Sequence, residues 1–268
     1  MVAMKTIPAN TLTDQELLKL QNELMALANL HTDYSVDYIE TFYFKNNYFM
    51  ITELIEADPL AQLIRGKNAS LSEEFCSYIL YCIAKGIKAL HDLNVIHRGV
   101  CADNVYCVGE QAKLNGMGRS SMVFLTEQEQ FRTSRIYFRN YVPPPESLQQ
   151  TPNYGKEVDV WSLGSLAFEL ATGKQPHSFE SHKNQAAQRS YDTDLQRLYQ
   201  LPTGNRQRSQ EYQNFIKKCI AIEPKARPTI DQILASEFMV RAAQNKQTWK
   251  TELDQLSNRA DPMDGWNE

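Results

Sequence analysis

Three side chains, those of Lys5, Glu23 and Asn104, could bind a phosphate group or a divalent cation. Lys5 and Glu23 lie eighteen residues apart, and such a pair, taken alone, is most often two solvated surface charges. Asn104 offers one neutral oxygen ahead of Gly116. Because Mg²⁺ prefers several oxygen ligands, Asn104 alone is a weak metal site. The residue types therefore permit this chemistry without establishing it.

The elements that must position these side chains begin as strand, helix, strand, strand. Leucines recur every three or four residues after Thr13, which indicates a helix with one buried stripe. The predicted bounds are a strand over 2–7, a helix from Thr13, and the two strands of a hairpin over 36–44 and 48–54. Lys5 is thus predicted on a strand and Glu23 on the helix.

The remainder of the chain is predicted to be mainly helical. The patterns are a helix from Leu71, short strands at 95–96, 105–108 and 112–114, and helices at about 156–173, 184–200, 209–221 and 229–239. A polar stretch over 120–142 is long for a loop inside a compact domain, which is typical of a functional segment. The chain after Met239 is polar and is expected to fray.

The composition indicates a globular protein and excludes several classes. The 268 residues are 42% hydrophobic and 22% charged, unlike a disordered, collagenous or coiled-coil chain. The net charge of −4 and the absence of any long apolar run argue against nucleic-acid and membrane partners. Five cysteines without a C-x-x-C pair predict reduced thiols and a cytoplasmic location.

Six short motifs occur in an order that is far more specific than any one of them. They are Val2-Ala3-Met4-Lys5, residues 95–104 around His97-Arg98-Gly99, Lys113-Leu114-Asn115-Gly116-Met117-Gly118, Pro144-Pro145-Glu146, residues 159–164, and Ala226-Arg227-Pro228. Together they resemble the eukaryotic protein kinase family, in particular its sterile-twenty-like group. The resemblance covers residues 1–239 and implies an α+β, two-lobed fold. It implies a partial N-lobe over 1–54 that lacks the family's first two strands, a mainly helical C-lobe over 55–239, and a polar tail over 240–268.

The resemblance also implies a nucleotide site between the two lobes. Lys5 would hold the phosphates, Glu23 would orient Lys5, and the hinge residues Glu53 and Ile55 would receive adenine. Asn104 would be the remaining, weak ligand for Mg²⁺. ATP is therefore the expected cofactor, with magnesium weak or absent.

A second group of matching residues would support the fold itself. Asp159 would accept hydrogen bonds from the backbone amides of the His97–Arg98 loop, and His97 would join the packed column between the lobes. Glu146 and Arg227 would form a buried ion pair in the C-lobe. In the family, Arg98 receives a phosphate from the activation segment, although a solvated loop is the simpler interpretation of residues 120–142 here.

The departures from the family affect the residues that perform phosphoryl transfer. Gly99 replaces the aspartate that accepts the proton of the substrate hydroxyl, and Gly116 replaces the aspartate that binds magnesium. Cys101 replaces the lysine that meets the transferring phosphate, and Arg139 replaces the threonine that bonds both groups. Such coordinated loss predicts a protein that does not transfer phosphate.

The leading hypothesis is therefore a pseudokinase, a binding and allosteric scaffold similar to the sterile-twenty-related adaptor pseudokinases. Its expected partner is another protein, by analogy an active kinase. One alternative is a serine/threonine protein kinase that works with Lys5, Glu23, Asn104 and Asp103. Another is a truncated paralogue without a stable fold. The glycine-rich loop that the family places before Lys5 is not in this sequence, so the sequence is either a fragment or has an incomplete N-lobe.

Overall fold

The N-terminal part of the protein is a three-stranded antiparallel sheet, and the C-terminal part is mainly helical. This architecture is that of a computed structural model. It describes residues 1–13, 17, 20, 24, 27–64, 71–116, 121–122, 143–149, 153–174 and 208–258. The α+β fold class predicted from the sequence is confirmed, whereas the domain boundaries stay a prediction.

The sheet has the strand order β1–β3–β2. Its strands are β1 (Val2–Pro8), β2 (Tyr38–Phe44) and β3 (Asn47–Glu53). At the β2–β3 turn, Lys45 and Asn46 have φ values of 45° and 62°, as a two-residue hairpin turn requires. β2 begins after Val36, its predicted start, because the Val36 amide donates to the Leu114 carbonyl at 3.1 Å. Residues 17, 20, 24 and 27–29 are helical.

Two short β-ribbons lie between the sheet and the later helices. β4 (Val95–Ile96) pairs with β7 (Ser121–Met122), and β5 (Val105–Val108) pairs with β6 (Gln111–Leu114). The helices are α1 (Leu60–Ile64), α2 (Glu73–Asp92), α3 (Glu157–Thr172), α4 (Gln210–Cys219), α5 (Ile230–Leu234), α6 (Glu237–Ala242) and α7 (Lys246–Asn258).

Helix α3 is the centre of the helical part. Every residue from Val158 to Thr172 is buried, as expected for a helix surrounded by protein on all sides. Gly164 lets α4 approach closely, because a β-carbon at this position would lie 2.6 Å from the Cβ atom of Cys219. The helix ends at Gly173, whose φ of 66° is the left-handed conformation typical of a helix C-terminus.

The predicted helix over 229–239 is wrong in its length. It is broken into α5 and α6 at Ser236, whose side chain accepts a hydrogen bond from the Met239 amide and caps α6. The start of α2 is set in the same way, because the Ser72 hydroxyl accepts the Phe75 amide at 3.0 Å. Local side-chain capping decides both boundaries.

The expectation that the polar tail frays after Met239 is wrong for residues 240–258. Helix α7 packs on α2, where Trp249 is fully buried and Leu256 is 5% exposed. The carboxylate of Glu252 accepts hydrogen bonds from both the amide and the hydroxyl of Ser72. The segment therefore folds as part of the helical region, through buried apolar side chains and hydrogen bonds to α2. Within the described ranges, no helix is both long and apolar enough to cross a membrane.

Candidate functional site

Asp159, on the first turn of α3, holds the loop that contains His97, Arg98 and Gly99. Its Oδ2 atom accepts the His97 amide and its Oδ1 atom accepts the Arg98 amide, both at 2.8 Å. These are the contacts predicted for Asp159. His91 Nε2 lies 2.9 Å from the same carboxylate. Burial alone would raise the pKa of Asp159, but the hydrogen bond and charge of His91 hold it below its usual value.

The ring of His97 joins this loop to the chain that follows β6. Its Nδ1 atom accepts the Gly99 amide at 3.1 Å, so the proton of the neutral ring is on Nε2, which donates to the Asn115 carbonyl at 3.0 Å. Burial lowers the pKa of His97. The fully buried ring is therefore neutral and ties positions 99 and 115 together. The kinase resemblance places Leu27, Tyr38 and Met117 beside His97 in the column between the lobes. Leu27 is buried, Tyr38 is half-buried and Met117 lies outside the described residues, so the column stays a prediction.

Asn104 and Gly116, which correspond to the family's two magnesium-binding positions, lie against each other. The Asn104 side chain donates to the Gly99 carbonyl at 2.7 Å. A β-carbon on Gly116 would lie only 2.5 to 2.7 Å from the three terminal atoms of the Asn104 amide group. The φ of Gly116 is 90°, which side-chain-bearing residues rarely adopt. The Asn104 amide thus fills the space that a side chain at position 116 would need.

These residues offer few ligands for magnesium. Gly99 and Gly116 supply no side-chain oxygen, and Asn115 Oδ1 accepts the Gly116 amide at 2.7 Å. Across the described parts of the chain, no cluster of three or more histidine, cysteine, aspartate or glutamate residues could hold a metal ion. The remaining Asn104 oxygen is a single neutral ligand, which is poor for a hard dication.

The Cys101 thiol does not replace the charge of the family's lysine. Burial raises its pKa to about 11, and the negative charge of Asp103 acts in the same direction. The thiol is therefore protonated and neutral near pH 7. Asp103 is half-buried on a 3-10 turn (Ala102–Asn104).

The two predicted phosphate-binding residues and the hinge are only partly described. Lys5 is exposed on β1, opposite Met50 on β3. Its predicted partner Glu23 lies outside the described residues. The Glu53 carbonyl accepts the Thr52 hydroxyl at 3.2 Å, and Ile55 is half-buried just after β3.

The carboxylate of Glu53 has a partner that the sequence analysis missed. Lys113 Nζ lies 2.5 Å from Glu53 Oε1, and the Asp37 amide donates to the same oxygen at 2.9 Å. In the sequence, Lys113 stands out only as the first residue of the motif that ends at Gly118. Its place in the sequence, two residues before Asn115, predicts a strand position near the site. The spacing does not identify Glu53 as its partner.

Arg98 occupies the position from which the family binds a phosphorylated loop. Its φ is 63°, and its guanidinium carbon lies 6.0 Å from the centre of the Tyr154 ring. Among the described residues, its buried Nε atom has no hydrogen-bond partner. The segment 123–142 and its Arg139 lie outside the described residues, so the phosphate-binding role of Arg98 stays a prediction.

The predicted ion pair of Glu146 and Arg227 is present and bidentate. Nη1 of Arg227 lies 2.5 Å from Oε1 of Glu146, and Nη2 lies 2.9 Å from Oε2. Arg227 also donates to the Ala221 carbonyl at 2.8 Å and stacks over Trp161 at 4.9 Å. This buried cluster connects the segment before α3 to the turn before α5.

Comparison with known proteins agrees with the motifs. A family profile for the protein kinase domain matches residues 1–239. The chain is 25% identical over 249 residues to the serine/threonine-protein kinase shk1/pak1 of Schizosaccharomyces pombe, covering 90% of this chain and 35% of that protein. It is 26% identical over 249 residues to the serine/threonine-protein kinase cst-1 of Caenorhabditis elegans, covering 90% of this chain and 46% of that protein. The chain thus spans less than half the length of these relatives. With the profile matched over most of its length, this chain belongs to the protein kinase domain family.

Proposed function

We propose that this chain is a pseudokinase, a kinase-family domain that binds other proteins and does not transfer phosphate. The observation that carries the proposal is the contact between Asn104 and Gly116. In this contact, the side-chain amide of Asn104 occupies the space that a β-carbon at position 116 would need. Two features thus coincide, because the carboxylate is absent and the Asn104 amide occupies the space next to Gly116.

The missing groups account for most of the chemistry that a kinase performs with its side chains. A general base contributes about 10²–10⁴ to the rate, and Gly99 has no group that could accept a proton. Magnesium neutralises the charge that develops on the phosphates, and the residues at 104 and 116 do not hold it. Because the Cys101 thiol is neutral, it does not replace the positive charge of the lysine in the family's catalytic loop.

The scaffold residues that remain support a binding role. Asp159 and the Glu146–Arg227 pair are buried and fully bonded, so the helical part keeps a defined surface around an inactive centre. The partner that fits this role is another protein, by analogy with adaptor pseudokinases an active kinase. The proposed small ligand is ATP, held by Lys5 and by the backbone at Glu53 and Ile55, without a requirement for magnesium.

A phosphotransfer assay tests the proposal. Purified protein is incubated with γ-labelled ATP, Mg²⁺ or Mn²⁺ and generic protein substrates. Phosphate transfer by the unmodified protein should not exceed that by the Lys5→Ala variant. Lys45→Ala, which removes an exposed lysine of the β2–β3 turn, is the matched control. Transfer that Lys5→Ala abolishes and Lys45→Ala preserves would overturn the pseudokinase assignment.

The competing proposal is an active serine/threonine kinase, and the names of both relatives favour it. It would use Lys5, Glu23, Asn104 and, as the base, Asp103. In that case Asp103→Asn should remove the transfer seen in the same assay, because the amide cannot accept the proton. Transfer that is absent in all proteins, or indifferent to Asp103→Asn, excludes this constellation.

A further inference from the structure

A seam of hydrogen bonds joins the N-terminal part of the chain to β6 in the helical part. It consists of residues 33–37 on one side and β6 on the other. The Leu114 amide donates to the Tyr34 carbonyl at 2.9 Å, and the Leu114 carbonyl accepts the Val36 amide at 3.1 Å. The Ser35 hydroxyl donates to the same carbonyl at 3.2 Å. Both polar backbone groups of Leu114 are therefore engaged with the N-terminal segment.

The ammonium group of one lysine in β6 reaches across this seam to carboxylates of the N-terminal part. Lys113 has a side chain that is only 11% exposed, and its Nζ atom lies 2.5 Å from Glu53 Oε1 and 4.0 Å from Asp37 Oδ2. The Glu53 amide in turn donates to the Asp37 carbonyl at 2.9 Å. Lys113 thus meets two carboxylates that belong to the end of β3 and to the residue before β2.

Because the Lys113–Glu53 ion pair is partly buried, it should contribute more to stability than an ordinary surface ion pair. The Glu53 side chain is 28% exposed and accepts two donors at one oxygen, from Lys113 and from the Asp37 amide. Exposed ion pairs contribute little because water competes for both charges, whereas a half-buried charge that loses its partner is left poorly solvated. Opening the seam would separate these groups, so their attraction opposes the opening.

We propose that Lys113 is a latch for the seam. It holds residues 33–37 and the end of β3 against β6 in the absence of bound nucleotide or partner protein. Because β6 leads directly to Asn115 and Gly116, the latch also fixes the chain that contacts Asn104. This device is independent of whether the protein binds ATP.

Hydrogen exchange of the full chain without nucleotide tests the latch. The amides to follow are those of Val36, Glu53 and Leu114, with the amides of α3 as the internal reference. Lys113→Met keeps the aliphatic length and removes the charge, and it should accelerate exchange at the three seam amides about tenfold while α3 is unchanged. Lys246→Met is the matched control, because the pair of Lys246 with Glu110 joins side chains that are 54% and 63% exposed. It should leave the seam unchanged.

A second variant separates the latch from general destabilisation. Glu53→Gln should accelerate the same three amides, and the double variant should be no faster than Lys113→Met alone, because both changes remove one interaction. Unchanged seam exchange in Lys113→Met, equal acceleration in α3, or effects that multiply in the double variant would each overturn the proposal.

Discussion

Trp249 stacks on Phe75, with ring centroids 4.9 Å apart and ring planes 14° from parallel. The indole is fully buried, contacts Tyr78 at 5.5 Å between centroids, and donates from Nε1 to the Gly109 carbonyl at 3.3 Å. A residue beyond the matched kinase profile therefore completes the packing on α2, and the folded unit includes α7.

Replacement of this indole should destabilise the whole helical part. Trp249→Ala removes a large buried side chain and should lower the free energy of unfolding by about 3–5 kcal/mol. Urea denaturation followed by circular dichroism measures the change. Lys250→Ala, an exposed substitution on the same helix, is the control and should have little effect. A loss below about 1 kcal/mol for Trp249→Ala would mean that α7 is not part of the cooperative unit.

The Glu146–Arg227 pair should be far more important for stability than a surface pair. Glu146→Gln leaves the buried guanidinium without its counter-charge and should cost about 3–5 kcal/mol. The matched control is Glu211→Gln, which breaks a pair with Arg241 whose side chains are 53% and 55% exposed, and which should cost about 0–1 kcal/mol. Denaturant titration compares the two variants. Equal effects would show that burial does not determine the strength of the pair.

Sequence patterns predicted most elements whose partners are close along the chain. The β2–β3 hairpin, α2 and α3 were within a few residues of their observed bounds, because strand alternation and apolar residues at helical spacing are local signals. Motif matching placed Asp159, Glu146 and Arg227 correctly. Helix α7 was missed because its composition is polar, although Trp249, Leu253 and Leu256 recur at helical spacing.

The contacts that define the site could not be predicted in the same way. The Lys113–Glu53 pair joins residues 60 positions apart, and the residues around each one do not predict the other as its partner. The two glycines at 99 and 116 indicated missing groups. The Asn104 amide lies in the space that a side chain at position 116 would need. This contact depends on the path of the backbone around Gly116, which residue types alone do not determine.

The buried ring of His97 should make the protein less stable in mild acid. Burial lowers the pKa of His97 below its usual 6.5, so below pH 6.5 the unfolded chain binds a proton that the folded chain does not. Stability should fall as the pH decreases from about 7 toward 5, by at most about 1.4 kcal/mol per pH unit. The depressed pKa of Asp159 acts in the same direction, but only below its usual value of 3.8.

Denaturation curves measured between pH 5 and 7.5 separate the contribution of His97 to stability from that of other titrating groups. In His97→Phe the ring no longer titrates, so the slope of stability against pH over this window should flatten, even if the variant is less stable at pH 7.5. The geometric reason is that protonated Nδ1 would face the Gly99 amide, and two donors would then oppose each other. An unchanged slope in His97→Phe would assign the acid sensitivity to other groups.

Restoring one carboxylate should not restore a metal site. Gly116→Asp introduces the ligand that kinases use, but its β-carbon would collide with the Asn104 amide at a backbone φ of 90°. The variant should therefore lose about 1–3 kcal/mol of stability from overpacking, and Mn²⁺ should not raise its melting temperature in the presence of ATP. Gly109→Asp is the matched control, because Gly109 also has a positive φ, 56°, but no atom of the described residues lies within 4 Å of an added β-carbon. Gly109→Asp should lose less stability than Gly116→Asp.

A Mn²⁺-dependent increase in the melting temperature of Gly116→Asp, absent in the unmodified protein, would show that Asn104 moves aside readily. The metal position would then be vacant rather than closed.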